Sequence, residues 1–193
     1  MKTKHVFFAG LLALASSLVH AGGKPIDPPP SGYLCCNLRS DGSWISDSNY
    51  FESGKSIIAF GTPVKGLTYG RSRVQVEIAG RKQALGNDYS DAVPLAEFAA
   101  RYIVSEDPRV RFASYPPQIQ KAITKARVMV GMTREQVLMA VSYPIADENP
   151  DLGSKVWKYW LSSDWQFDVH FDDQGKVSEV KADPNIEGLV LQE

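Results

Sequence analysis

The chain has 193 residues, a formal net charge of −1 and 44% hydrophobic residues, enough apolar material for one ordinary core or two small ones. Its 21 Lys and Arg face 22 Asp and Glu, with no basic block to track a phosphate backbone. Nucleic acid is disfavoured as a partner on that ground.

The first 21 residues read as an export signal. Lys2 and Lys4 form a short positive region, Val6 to Ala15 is apolar, and Val19-His20-Ala21 is a small-x-small cleavage site. The apolar run falls short of the roughly 20 residues a bilayer span needs. Gly22-Gly23-Lys24-Pro25 then breaks any helix. Removing residues 1–21 leaves 19 basic and 22 acidic residues, a net of −3. Cys35 and Cys36 lie far past the cleavage site behind Gly32-Tyr33-Leu34, so no lipidation signal is present.

Residues 22–32 hold Pro25, Pro28, Pro29, Pro30 and Gly32, a stiff extended leader best read as a spacer. From 33 to 90 the chain reads as short strands with turn punctuation. Tyr33 to Leu38 is apolar, Ser40-Asp41-Gly42 is a turn, and Ile57 to Phe60 is an apolar run closed by Gly61-Thr62-Pro63. Val74, Val76 and Ile78 alternate with Gln75 and Glu77, the period of a half-buried strand ending at Ala79-Gly80. Several short strands in so few residues predict a small barrel. Leu95, Phe98, Ala99, Tyr102 and Ile103 keep the spacing of an amphipathic helix, with Pro94 near its start and Asp107-Pro108 beyond its end.

Ile119, Ala122, Ile123 and Ala126 predict a second helix over 117–127 with a narrow face of small residues. Thr133 with Gln136 forms a capping box for a third, whose Val137, Leu138 and Val141 are expected to face inward, with Pro144 following. Three strands complete the pattern. Trp157, Tyr159 and Leu161 alternate with Val156, Lys158 and Trp160. Trp165, Phe167, Val169 and Phe171 alternate with Gln166, Asp168, His170 and Asp172. One face of this sheet is therefore packed and the other wet. Asp172-Asp173-Gln174-Gly175 is turn chemistry feeding the last strand. The fold class is α+β. Its organisation is a signal peptide (1–21), a leader (22–32), a small β domain plus helix (33–110), a two-helix, three-strand unit (114–185) and a tail (186–193).

Catalytic and cofactor chemistry is thin. Once residues 1–21 are removed one histidine, His170, is left. With two adjacent cysteines it cannot build the usual zinc ligand sets, so no metal, cofactor or catalytic residue is assigned. Asp168 and Asp172 flank His170 two residues away, and Asp172 with Asp173 reads as turn structure rather than an acid–base pair. For Cys35-Cys36 the favoured reading is one side chain in the core and the other outward. A bond between the neighbours closes an eight-membered ring and ranks behind it, and a redox-sensitive or intermolecular disulfide stays open.

Gly131-Met132-Thr133-Arg134-Glu135-Gln136-Val137, Tyr143-Pro144, Trp157-Lys158-Tyr159 and Phe171-Asp172-Asp173-Gln174-Gly175-Lys176-Val177, in that order, resemble the outer-membrane assembly factor family BamE (SmpA/OmlA) over about 117–183. The chain departs from the family at its Gly-x-Pro site, where Ser142-Tyr143-Pro144 stands, and in having no cysteine placed for the lipid anchor common in that family. The Gly61-Thr62-Pro63-Val64 turn before the Val74 to Ile78 strand resembles a bacterial SH3-like barrel. The two-helix, three-strand layout is also similar to a β-lactamase-inhibitor-protein module. These resemblances imply a periplasmic, non-enzymatic protein-interaction module of the cell envelope, with envelope proteins such as β-barrel assembly components as partners. Alternatives are a peptidoglycan-binding role through the SH3-like domain and an enzyme-inhibitor-like role. The candidate contact residues are Lys158, Trp160, Gln166, Asp168 and His170, with Trp160 as a hot spot or, alternatively, as core beneath the N-terminal domain.

Overall fold

The computed structural model describes residues 27–193. The expected export signal and the start of the leader lie outside them. The fold is mixed α and β, with five helices and three sheets among the described residues.

The N-terminal part is built from β1 (Gly32–Leu34), β2 (Leu38–Ser40), β3 (Trp44–Ser46), β4 (Ser56–Ile58), β5 (Pro63–Tyr69), β6 (Arg73–Ile78) and β7 (Arg81–Gly86). These are followed by α1 (Leu95–Tyr102), β8 (Ile103–Val104) and the short α2 (Arg109–Phe112). Six strands form one curled, half-barrel sheet in the order β3-β7-β6-β5-β1-β8, while β2 and β4 pair as a separate ribbon. The pairing is antiparallel except for β3 beside β7. Val74, Val76 and Ile78 are buried as the alternation requires, and Phe98 and Tyr102 of α1 close the core over them. The β6–β7 hairpin turns at Ala79 (φ 51°) and Gly80 (φ 74°), the paired left-handed conformations a two-residue turn of matching twist demands.

Two expectations change here. Residues 33–38 are not one strand: the chain bends at Cys35-Cys36, separating β1 from β2. The end of the leader is not a free spacer, since Pro29 is buried and the chain crosses β5 at Gly66. A Cβ at Gly66 would lie 2.3 Å from the Pro29 carbonyl oxygen, so only glycine admits the crossing.

The C-terminal part comprises α3 (Pro117–Thr124), α4 (Arg134–Val141), β9 (Val156–Trp160), β10 (Gln166–Phe171), β11 (Val177–Ala182) and α5 (Pro184–Val190). The strands form an antiparallel meander, β11-β10-β9. At the start of α4, Thr133 Oγ1 accepts from Gln136 N–H and Gln136 Oε1 accepts from Thr133 N–H, the reciprocal cap expected there. Helix α3 stops at Thr124 rather than 127, and Ala126 adopts φ 52° in the turn that follows. The buried face of α4 is Gln136, Val137, Met139 and Ala140, whereas Leu138 and Val141 are only half-buried. The N-terminal part packs on the end of this helix, where Asn37 N–H donates to Met139 O, so burial spreads around it. Trp165 is exposed because it belongs to the β9–β10 hairpin, its carbonyl accepting from Leu161 N–H. The closing residues, expected as a tail, form α5 and send Ile186 and Val190 into the core.

Inside this unit, Trp157 is 1% exposed and meets Phe171 edge-on at 4.7 Å between ring centroids, and Tyr159 stacks on Phe167 at 5.2 Å. Arg134 lays its guanidinium over Phe171 and donates to the carbonyls of Gly153 and Ser154, tying the loop before β9 to α4.

The two parts are locked at Asn37. Its buried amide donates to Ile123 O of α3 (2.7 Å) and Ala140 O of α4 (3.1 Å), and its Oδ1 accepts from Phe60 N–H (3.2 Å). Asn49 adds a bond to Val141 O, and Phe51 N–H donates to Leu161 O at 2.7 Å. Tyr102 packs on Tyr143, and Ser90 Oγ accepts from Ala146 N–H.

Candidate functional site

Strand alternation gives β9–β11 two unlike faces. Trp157, Tyr159, Phe167, Val169, Phe171 and Val177 point into the core. The other face carries all five residues singled out from the sequence, and the ladder register arranges them in rows. Trp160 stands opposite Gln166, Lys158 opposite Asp168, and Val156 opposite His170. On the far side, Asp168 faces Lys181 and His170 faces Glu179. Lys158 and Gln166 are exposed; Trp160, Asp168 and His170 are half-buried.

The charges on this face do not pair straight across. Lys158 lies 3.7 Å from Glu148, and Lys181 lies 3.5 Å from Glu179 on its own strand. Asp168, between two lysines in the ladder, has no ion pair among the described residues. The Trp160 indole N–H donates to Glu148 Oε1 at 3.0 Å. Glu148 thus holds both Trp160 and Lys158 from the loop between α4 and β9, fixing a large aromatic side chain beside two polar rows.

His170 is joined to neither flanking acid. The Asp172 carboxylate is committed to its own turn, accepting from Gln174 N–H and Lys176 N–H at 2.9 Å each. His170 Nε2 is buried without a hydrogen-bond partner among the described residues. Nor is any group of three or more His, Cys, Asp or Glu among those residues placed to hold a metal ion.

Cys35 and Cys36 are bonded to each other, which corrects the ranking of that pairing behind the buried-and-outward reading. In a regular strand neighbouring side chains diverge; the bend after β1 removes that alternation and brings the two sulfurs together. Cys36 is nonetheless fully buried and Cys35 half-buried. The Cys35 N–H donates to Tyr102 O, and the Cys36 sulfur lies 3.8 Å from Ser142 Oγ. The disulfide sits directly before Asn37, at the joint between the two parts.

The chain matches no protein-family model, no curated protein and no solved structure. No helix among those described is long and apolar enough to cross a membrane.

Two surface features fall outside the five residues. A cleft at the joint, about 450 Å³ counted to its mouth, lies between Arg39 and Ile57 on one side and Trp160 and Leu189 on the other. Ile57, read from sequence as part of a closed apolar run, is 43% exposed, and Leu189 is 41% exposed. A second, wider groove on the N-terminal part is lined by Trp44, Tyr50 and Tyr89 with Asp41, Glu52 and Asp88. Behind it Asp47 is buried, accepting from Asp88 N–H and Tyr89 N–H, and burial pushes its carboxyl above the usual carboxylate range. Neither feature has a periodic signature. Each is assembled from short segments far apart in the chain.

Proposed function

We propose that the protein is a non-enzymatic, periplasmic protein-interaction module of the bacterial envelope, of the kind the BamE resemblance implies. In this reading residues 114–185 are the BamE-like domain and the curled sheet is a bacterial SH3-like barrel. The observation that carries it is the unpartnered face of β9–β11, where Trp160 is held by Glu148 beside Lys158, Gln166, Asp168 and His170. A half-buried tryptophan with a fixed polar end and a mixed-charge surround is the composition of a binding hot spot: apolar area at its centre, polar groups at its rim.

The test is Trp160→Ala. The variant should fold, because the side chain lies on the wet face, and should capture β-barrel assembly components from envelope extracts at least tenfold less well than wild type. Unchanged capture, or failure of wild type to capture any of them, contradicts the reading.

The Trp44, Tyr50 and Tyr89 groove favours a second reading, peptidoglycan binding. Flat aromatic rings beside carboxylates suit the apolar faces and hydroxyls of a glycan. Co-sedimentation with purified sacculi, lost in Trp44→Ala, would support it; no co-sedimentation removes it.

A further inference from the structure

Arg39 is the one polar side chain of the joint cleft whose polar end has no hydrogen-bond or ion-pair partner among the described residues. Its strand places it directly opposite Ile57 in the β2–β4 ladder, with its guanidinium 4.9 Å from the Phe51 ring centre. Phe51, Ile57 and Leu189 are among the most exposed large apolar side chains of the described residues, and they gather with Trp160 around this single cation. Among the described residues no carboxylate lies within ion-pair distance of Arg39. The other polar side chains of the cleft are spent internally. Asn37 bonds α3, α4 and Phe60; Asn49 bonds Arg39 N–H, Asn37 O and Val141 O; Tyr159 donates to Ser142 O; Ser48 pairs with Ser46. Burial also holds the guanidinium below its ordinary value, as expected of a cation short of water.

A desolvated guanidinium offers a rigid fork of donors that fits a carboxylate bidentately. The exposed apolar side chains beside it, Ile57 and Leu189, give a partner's apolar residue something to pack on. The cleft that Arg39 lines with Ile57, Trp160 and Leu189 is open at its mouth, so the end of a peptide can reach the guanidinium.

We propose that the Arg39 cleft binds the C-terminal carboxylate of a partner protein whose last residue is apolar. This rests on the interaction-module reading and names the part of the partner that is gripped. The carboxylate meets Arg39, and the final side chain lies across Ile57 and Leu189 toward Trp160.

The test uses the purified full chain and two fluorescein-labelled pentapeptide pools, randomised at their first three positions and ending in leucine or phenylalanine. Each pool is made as free acid and as C-terminal amide. The acids should bind wild type at least tenfold more tightly than the amides. Arg39→Gln should erase that preference, and Arg39→Lys should keep it in weakened form. Ile57→Glu, which puts a carboxylate opposite an intact Arg39, should reduce acid binding without touching the cation. Equal binding of acid and amide, a preference that survives Arg39→Gln, or no binding of either pool overturns the proposal. So does Arg39-dependent binding to phosphatidylglycerol vesicles in place of the peptides. Crosslinking from position 166, on the same sheet face but outside the cleft lining, is scored in parallel: if it persists while the peptide result fails, this inference falls and the module reading stands.

Discussion

The two parts of the molecule manage sheet surface in opposite ways. The N-terminal sheet curls, and its strands of two to seven residues wrap a core that α1 seals. The C-terminal sheet is a three-stranded meander; α3, α4 and α5 supply residues to the core on one face, and among the described residues the other face is exposed or half-buried. An antiparallel sheet can keep one face in water without penalty if that face is polar, as the Lys158–Asp168–Lys181 row is. The comparison teaches where recognition is to be sought: at the bare sheet and at its seam with the other part, not over the closed core.

The comparison breaks most sharply at Trp157. Trp157→Ala removes a fully buried ring and its edge-on contact with Phe171, and should cost about 3–5 kcal/mol in urea unfolding. A loss under about 1 kcal/mol would show that the C-terminal core is not packed as described. Asn37 tests whether the parts act as one body. Asn37→Ala leaves the carbonyls of Ile123 and Ala140 and the amide of Phe60 without this partner, at about 2–4 kcal/mol in total. Its unfolding, followed by tryptophan fluorescence and circular dichroism together, should split into two transitions where wild type shows one. A single unshifted transition would place the coupling elsewhere.

Smaller effects sharpen each side. Thr133→Ala removes half of the capping box of α4 and should cost about 1 kcal/mol, read as a shift of the urea midpoint; no shift would mean the cap is immaterial. On the N-terminal side, Asp47 has a folded carboxyl raised by burial, despite its amide donors. Its contribution to stability is therefore fully present below the ordinary carboxylate range and is lost as pH rises through the raised value. Asp47→Asn stays neutral throughout, so from about pH 4 to pH 7 its Tm should fall less steeply than that of wild type. Asp88, shifted upward by burial too, leaves part of the slope in place. Identical slopes would contradict the burial of this carboxyl.

The same contrast explains what could be read beforehand. Val74, Val76 and Ile78, and likewise Phe167, Val169 and Phe171, sit where period-two alternation puts them, because six-residue strands on a one-sided core leave that pattern no freedom. The Thr133 cap was legible because capping is local. The parallel pairing of β3 with β7 was not, since three residues carry no register information and their partners lie about 40 positions away. The break in the apolar run 33–38 was not legible, because the bend at Cys35-Cys36 is held by long-range contacts to Tyr102 and Ser142. All five wet-face residues were visible as the outward alternates of the strands, four of them polar and the fifth Trp160. Arg39, Asn37 and Leu189 were not, because their roles exist only once β2, α4 and α5 meet.

The central claim, that the bare face of β9–β11 meets another macromolecule, is tested most directly by a photo-crosslinking residue introduced in cells at exposed Gln166, directly opposite Trp160, with exposed Lys82 of β7 as the control position. The account predicts a discrete higher-mass adduct from position 166 and none from position 82. No adduct from 166, or equal adducts from both positions, would contradict it.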